Sequence, residues 1–308
     1  MSLARIIGVR VAMGLAVAWG VLSLVFAMFT LTDDWVLNAD LAELQWGGAE
    51  DEVIEAVREE YFMQRGLDQP IQEVYLDWLV NMVTLEWGES FVSGEPALSM
   101  VAGGVIETAT YLLPALVIAI ALAILVGLVA GLQPRDRWPR VAVFGAYLLF
   151  VVPMFWVGAL ALTVGLPEWV YDPGLPIALT AGALLGGYIS YTRAHTMEYA
   201  GREFTKLVRS KGASNVQVAR HVLRNAAIPF FSMLFTEAMM LLLLAVFVVE
   251  SVFAIDGLGL VILQAAEQRD LPVMLGGVVV VIAFGATANI IQDVSYSYFD
   301  PRVDTGRR

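Results

Sequence analysis

The chain has 308 residues, of which 58% are hydrophobic and only 16% charged, with a mean hydropathy of +0.71. That composition excludes an ordinary soluble domain and marks a membrane protein. A net charge of −12 argues against a nucleic-acid binder, which needs clustered cations. The absence of cysteine removes disulfide and thiolate chemistry, and two histidines, His195 and His221, are too few for a histidine metal cluster.

A bilayer core about 30 Å thick needs about 20 apolar residues per helix. Six stretches qualify: 11–32, 108–134, 141–167, 173–192, 225–249 and 271–292, the fifth interrupted by Glu237. Pro114, Pro153 and Pro176 lie inside them and are tolerable where neighbouring helices satisfy the freed backbone groups. The first stretch is long for the apolar region of a signal peptide and lacks a small-x-small cleavage site, so it reads as an anchor. Placing the N-terminus inside puts 15 of 18 cations in cytoplasmic segments and 23 of 30 acidic residues outside. This sorting supports six spans with both termini cytoplasmic.

Residues 33–99 then form an external segment carrying 16 acidic residues. Val53, Ala56, Val57, Glu60 and Tyr61 predict one helix there, and the run Ile71 to Leu79 predicts a second. The segment reads as a solvated cap or as a docking surface for an external partner.

A second long segment, 193–229, is cytoplasmic. Glu198 with Arg202 and Glu203 with Lys206 sit at helical spacing, so a first helix should run up to Gly212, a favoured residue just past a helix end. Ser214 with Gln217 makes a capping box that starts a second helix. Val216, Ala219, Val222, Leu223 and Ala226 give that helix an apolar stripe flanked by Arg220 and Arg224. A short helix outside the bilayer must bury such a stripe, either on its own bundle or on a partner.

The chain resembles the permease subunits of ATP-binding-cassette importers, in the dipeptide, oligopeptide and nickel branch. The residues that carry the likeness are Gly66-Leu67-Asp68-Gln69-Pro70, Trp87-Gly88-Glu89-Ser90 and Arg209-Ser210-Lys211-Gly212. They continue with Arg220-His221-Val222-Leu223-Arg224-Asn225-Ala226, Val249-Glu250-Ser251-Val252-Phe253, Gly257-Leu258-Gly259, Arg269-Asp270-Leu271-Pro272, Gln292 to Tyr296 and Asp300-Pro301-Arg302. The resemblance implies an all-α membrane protein of the type I importer fold with six transmembrane helices and an acidic insertion between the first two. It divides the chain into an N-terminal helix at 1–32, the insertion at 33–99, a permease domain at 100–295 containing the coupling loop 193–229, and a tail at 296–308. It further implies a second homologous permease, two ATPases that bind the ATP and magnesium, and an external solute-binding protein, all around a lipid bilayer.

Under that reading the chain is a non-catalytic subunit with no cofactor of its own, and no phosphate-binding Gly-Lys-Ser/Thr loop occurs in it. Closure of the ATPases would push the Ser214–Asn225 helix as a lever. Val216, Val218, Ala219, Val222 and Leu223 are expected at the contact, with Gly212 as the break, Ser214 as the cap and Arg220 and Arg224 as the rim. Intramembrane carboxylates are functional candidates because charge at mid-bilayer is costly. Glu237 and Glu250 are 13 residues apart, about 140° around a helix, and so face different sides. Glu237 is a candidate for the translocation path, and Glu250 for a structural hydrogen bond at the external loop or for a gate. A di- or oligopeptide is the expected cargo, with a nickel chelate or sugar as alternatives. A secondary transporter is the competing class, although it usually shows an internal repeat that six spans here do not. The acidity, with 16 Arg against two Lys, suits a surface facing concentrated salt; thermal stability of the purified protein should then fall steeply when molar salt is diluted, and indifference to salt would exclude it.

Overall fold

The computed structural model describes residues 3–165, 173–225 and 246–299. Among these the regular structure is helical, apart from one isolated bridge between Glu89 and Pro96. By length and apolarity, four helical stretches can cross a membrane: Gly8–Trp46, Ala97–Leu132, Leu175–Ala200 and Leu271–Ile291. Two bent pairs of shorter helices, each counted as one span, bring the number to six. The protein is an all-α membrane protein, as its composition requires. The predicted fifth span falls mostly in 226–245, outside the described residues.

The chain divides into two compact units, 7–106 with 256–286, and 107–255 with 287–308 and 1–6. In the first, α1 (Leu3–Leu31) is followed by α2 (Trp35–Trp46), α3 (Asp51–Gln64) and α4 (Ile71–Thr84). Asp34 caps α2 by accepting from the amides of Val36 and Leu37, both at 3.1 Å. Helices α2 and α3 close on a small core of Leu37, Leu41, Ile54 and Tyr61. The buried stripe of α3 is therefore Ile54, Val57 and Tyr61, whereas the expected Val53 and Ala56 are exposed. The apolar spacing reveals the helix but not which face the neighbouring helix covers. The unit also includes α12 (Leu258–Glu267) and the outer part of α13 (Leu271–Phe299), where Trp87 packs against Gly276.

The second unit is built on α5 (Ala97–Leu132), α6 (Arg137–Val151), α7 (Met154–Thr163) and α8 (Leu175–Ala200), with α9 (Glu203–Ser210), α10 (Asn215–Asn225) and α11 (Val246–Phe253). The three prolines behave differently. Pro114 stays inside α5, and Pro176 occupies the first turn of α8, where no amide donor is missed. Pro153 breaks the predicted 141–167 span into α6 and α7, because the residue before a proline is pushed to extended geometry, as at Val152 (φ −78°, ψ 124°). The core between α5, α6 and α8 is lined by Ala115, Ala119, Ala123, Ala146, Ala181 and Leu184. Small side chains let the helices approach closely where no hydrophobic driving force separates protein from lipid. Two close approaches are at Gly127 and Gly131, one turn apart on α5. A Cβ on either would lie 2.5 Å from the Cβ of Thr192 or Thr196 on α8.

Gly131→Ala should therefore destabilise the purified protein by roughly 1–3 kcal/mol through overpacking. Gly145→Ala, at a helical glycine with nothing within 4 Å of the added carbon, should be neutral or slightly stabilising. Thermal denaturation of the two variants side by side checks this.

Candidate functional site

The segment 193–229 singled out in the sequence forms, among its described residues, two short helices beyond the end of α8. α8 ends at Ala200, and Gly201 and Arg202 break the predicted first helix before α9 begins at Glu203. Arg202 donates to Glu198 across this break at 2.6 Å and stacks on Tyr199 at 4.0 Å, while Lys206 reaches Glu203 at 2.7 Å. The buried Thr205 hydroxyl donates to the Tyr199 carbonyl at 2.8 Å and folds α9 back onto the end of α8. Gly212 has φ +80°, the left-handed region that favours glycine, and it releases the chain from α9.

The capping box forms as spaced. The Ser214 amide donates to the Gln217 side-chain oxygen at 2.9 Å, and the Gln217 amide donates to Ser214 Oγ at 3.3 Å. Helix α10 then packs on α8 and α9. Val218 and Val222 are 1% and 0% exposed, in a cluster with Leu128 of α5 and the partly buried Ile124, Leu132, Tyr199, Val208, Ala213 and Leu223. Here the sequence expectation needs correction. Val218 and Val222 were expected at a partner's surface, yet they are seated inside this chain. Val216 is 78% exposed. It lies two residues, about 200°, from Val218, so the two occupy opposite faces of the helix, and the stripe running from Val216 to Val222 is not one face. Ala219 is half-buried, and Gln217, Arg220, His221 and Arg224 line the exposed side with Val216.

Glu237 lies outside the described residues. Glu250, on α11, is fully buried and accepts from Thr108 Oγ1 at 2.6 Å and from the Tyr111 hydroxyl at 3.1 Å, both on α5. Its backbone carbonyl accepts from the Ile255 amide at 3.0 Å, which turns the chain after α11. The carboxyl group is thus a buried tie between two helices, held by two hydroxyls of α5. Glu107 is exposed in the third turn of α5, a helix that begins eleven residues before the predicted span.

Sequence reasoning left Arg269-Asp270 without a role, although both are almost fully buried. Arg269 has φ +53°, a costly conformation for a residue with a side chain. Its guanidinium donates to the carbonyls of Phe29, Thr32 and Asp33 at the end of α1, pairs with Asp34 at 3.1 Å and lies 4.6 Å from the Trp35 ring. A cation among the last carbonyls of one helix and a carboxylate capping the next suit both helix dipoles. Asp34 also accepts from the Tyr61 hydroxyl at 2.7 Å, which ties α3 into the same node. Asp270 accepts from Ser90 Oγ and from the Phe91 amide. A single arginine in an otherwise acidic neighbourhood was the available signal.

Burial, and next the hydrogen bond to Asp34, push the Tyr61 hydroxyl above the ordinary tyrosine range. The fold therefore favours the protonated phenol. That stabilisation is complete below about pH 10, the ordinary tyrosine value, and is lost as pH rises through the elevated folded value. In thermal melts from neutral to strongly alkaline pH, the parent protein should lose stability above that point more steeply than Tyr61→Phe, and parallel curves would contradict the assignment.

Comparison with known proteins agrees with this architecture. Residues 123–305 match the family described as the binding-protein-dependent transport system inner membrane component. A putative peptide transport system permease protein of Brucella suis is 32% identical over 304 residues, covering 91% of this chain and 94% of its own. A glutathione transport system permease protein of Shigella flexneri is 30% identical, with 87% and 90% covered, and an oligopeptide transport system permease protein of Bacillus subtilis 26% identical, with 82% and 86% covered. With bent membrane-crossing helices, a capped helix seated on their ends and these relatives over nearly its whole length, the chain belongs to the inner-membrane permeases of binding-protein-dependent ATP-binding-cassette importers.

Proposed function

We propose that this permease forms one half of the path by which an ATP-driven importer takes up di- or oligopeptides delivered by an external binding protein. Peptide cargo is supported by the names of the relatives, peptide, oligopeptide and glutathione permeases. The partners are a second homologous permease, two ATPases that hold ATP and magnesium, and the binding protein. Both termini and the 193–229 segment face the cytoplasm, and 33–99 lies mainly on the outer side, in keeping with the distribution of cations and acids.

The observation that carries the mechanism is the two-sided character of α10. Its inner side is locked by Val218 and Val222 against Leu128 of α5. Its outer side offers Val216, Gln217, Arg220, His221 and Arg224. A partner gripping the outer side moves the inner side with it, because a close-packed interface transmits displacement rather than absorbing it. The Gly127–Thr192 and Gly131–Thr196 contacts join α5 to α8 a turn or two away. ATP-driven closure of the partners therefore biases the helix bundle between two states through α10. The shift is no larger than the difference in partner affinity for those states.

The test is ATP-dependent uptake of a labelled peptide into proteoliposomes holding the two permeases, the ATPases and the binding protein. Charge reversal at Arg220 and Arg224 together should abolish uptake and leave the melting temperature of the isolated permease unchanged. Val222→Asp should instead lower the yield of folded permease, since it places an unpaired charge in a closed cluster. Full peptide uptake by the charge-reversed protein would overturn the coupling assignment. Uptake of a sugar or nickel chelate in place of peptide would overturn the cargo, and uptake driven by an ion gradient without ATPases would overturn the class.

A further inference from the structure

Helix α4 lies within the segment whose acidity suggests a solvated cap, yet its side chains reach α1 at positions inside the apolar span. The Tyr75 hydroxyl is 2.8 Å from Trp19 Nε1 and 2.7 Å from Ser23 Oγ. The Trp78 ring stacks on Phe26 with centroids 5.4 Å apart, and Tyr75 meets the same ring edge-on at 5.3 Å. At 1.5 Å per residue, Phe26, Ser23 and Trp19 lie about 9, 14 and 20 Å inside the outer end of the span at Thr32. A second depth marker is independent of α1: Trp87, just beyond α4, packs on Gly276, six residues into α13 from Asp270.

The surface of α4 is divided in three. Trp78 and Met82 are buried, while Glu73, Asp77, Asn81 and Thr84 follow one another along one exposed side. Asp77 and Asn81 line a cleft shared with Arg65 and Gln69, which gives those polar groups a wet, partly charged surrounding. The adjoining side carries Leu76, Val80 and Val83, which are 59%, 59% and 80% exposed, with Glu73 at its edge about 20° around the helix from Val80. The same exposed apolar character continues along α1 at Leu24, Met28 and Leu31.

We propose that α4 is seated in the outer leaflet of the bilayer and presents Leu76, Val80 and Val83 to lipid acyl chains. The 33–99 segment is therefore divided: α2 and α3 carry seven of its 16 acidic residues against two on α4, which returns to the membrane. This rests on reading α1 as a membrane span.

The chain has no cysteine, so single labelling sites can be introduced without background from this subunit. Nitroxide labels at Leu76→Cys, Val80→Cys and Val83→Cys are compared with Leu15→Cys on α1 and Glu55→Cys on α3. The complete transporter is used, with cysteine-free partner subunits, in phosphatidylcholine liposomes. Collision with dissolved oxygen should dominate at Leu76, Val80 and Val83, as at Leu15. Collision with a water-soluble nickel chelate should dominate at Glu55, and the ratio should differ several-fold. Chelate access at the three α4 sites equal to that at Glu55 would overturn the proposal in favour of a solvated cap. Protection from both reagents would overturn it in favour of a protein contact. Chelate access at Leu15 would show that the span reading of α1 had failed, and the proposal with it.

Discussion

The seating of α10 by Val218 and Val222 on the end of α5 is the contact on which the proposed coupling to the ATPases depends. A short helix outside the bilayer has little stability of its own, since nucleation is unfavourable and eleven residues add few internal hydrogen bonds. What keeps it formed is the capping box at its start and two valines in a closed apolar cluster. Without those anchors a partner could grip the helix and move nothing else. With them, a push on Arg220 or Arg224 is a push on α5, which runs on to Ala97.

Two further ties hold helices together elsewhere in the chain. Glu250 joins α11 to α5 through Thr108 and Tyr111, at the price of burying a carboxylate that tolerates no loss of its donors. Arg269 gathers the end of α1, the start of α2 and, through Asp34, the hydroxyl of Tyr61. In each case one buried polar side chain holds backbone elements distant in sequence. The helix surfaces around them are small or plainly apolar and carry little directional information, so buried charge supplies the register that the rest of the packing lacks.

Much of the architecture is legible in the order of the residues alone. A run of twenty apolar residues has one stable form in hydrocarbon, so 11–32, 108–134, 173–192 and 271–292 each coincide with much of a long helix. The capping box is equally local, because Ser214 and Gln217 satisfy one another within a single turn. The family signature is legible for a different reason, the order and spacing of short motifs over some 240 residues.

Other features depend on neighbours distant in the chain, and for these sequence reasoning has no purchase. Periodicity shows that a helix has an apolar side but not what covers it: spacing leaves the α10 stripe open between its own bundle and a partner, the family resemblance puts Val218 and Val222 at the partner, and in the fold they lie against Leu128. Pro114 and Pro153 both interrupt apolar runs, and only the second breaks its helix. Arg269 and Glu250 are single charges in the text of the sequence. Their importance arises from carbonyls, hydroxyls and a carboxylate brought to them by folding, which no local spacing encodes.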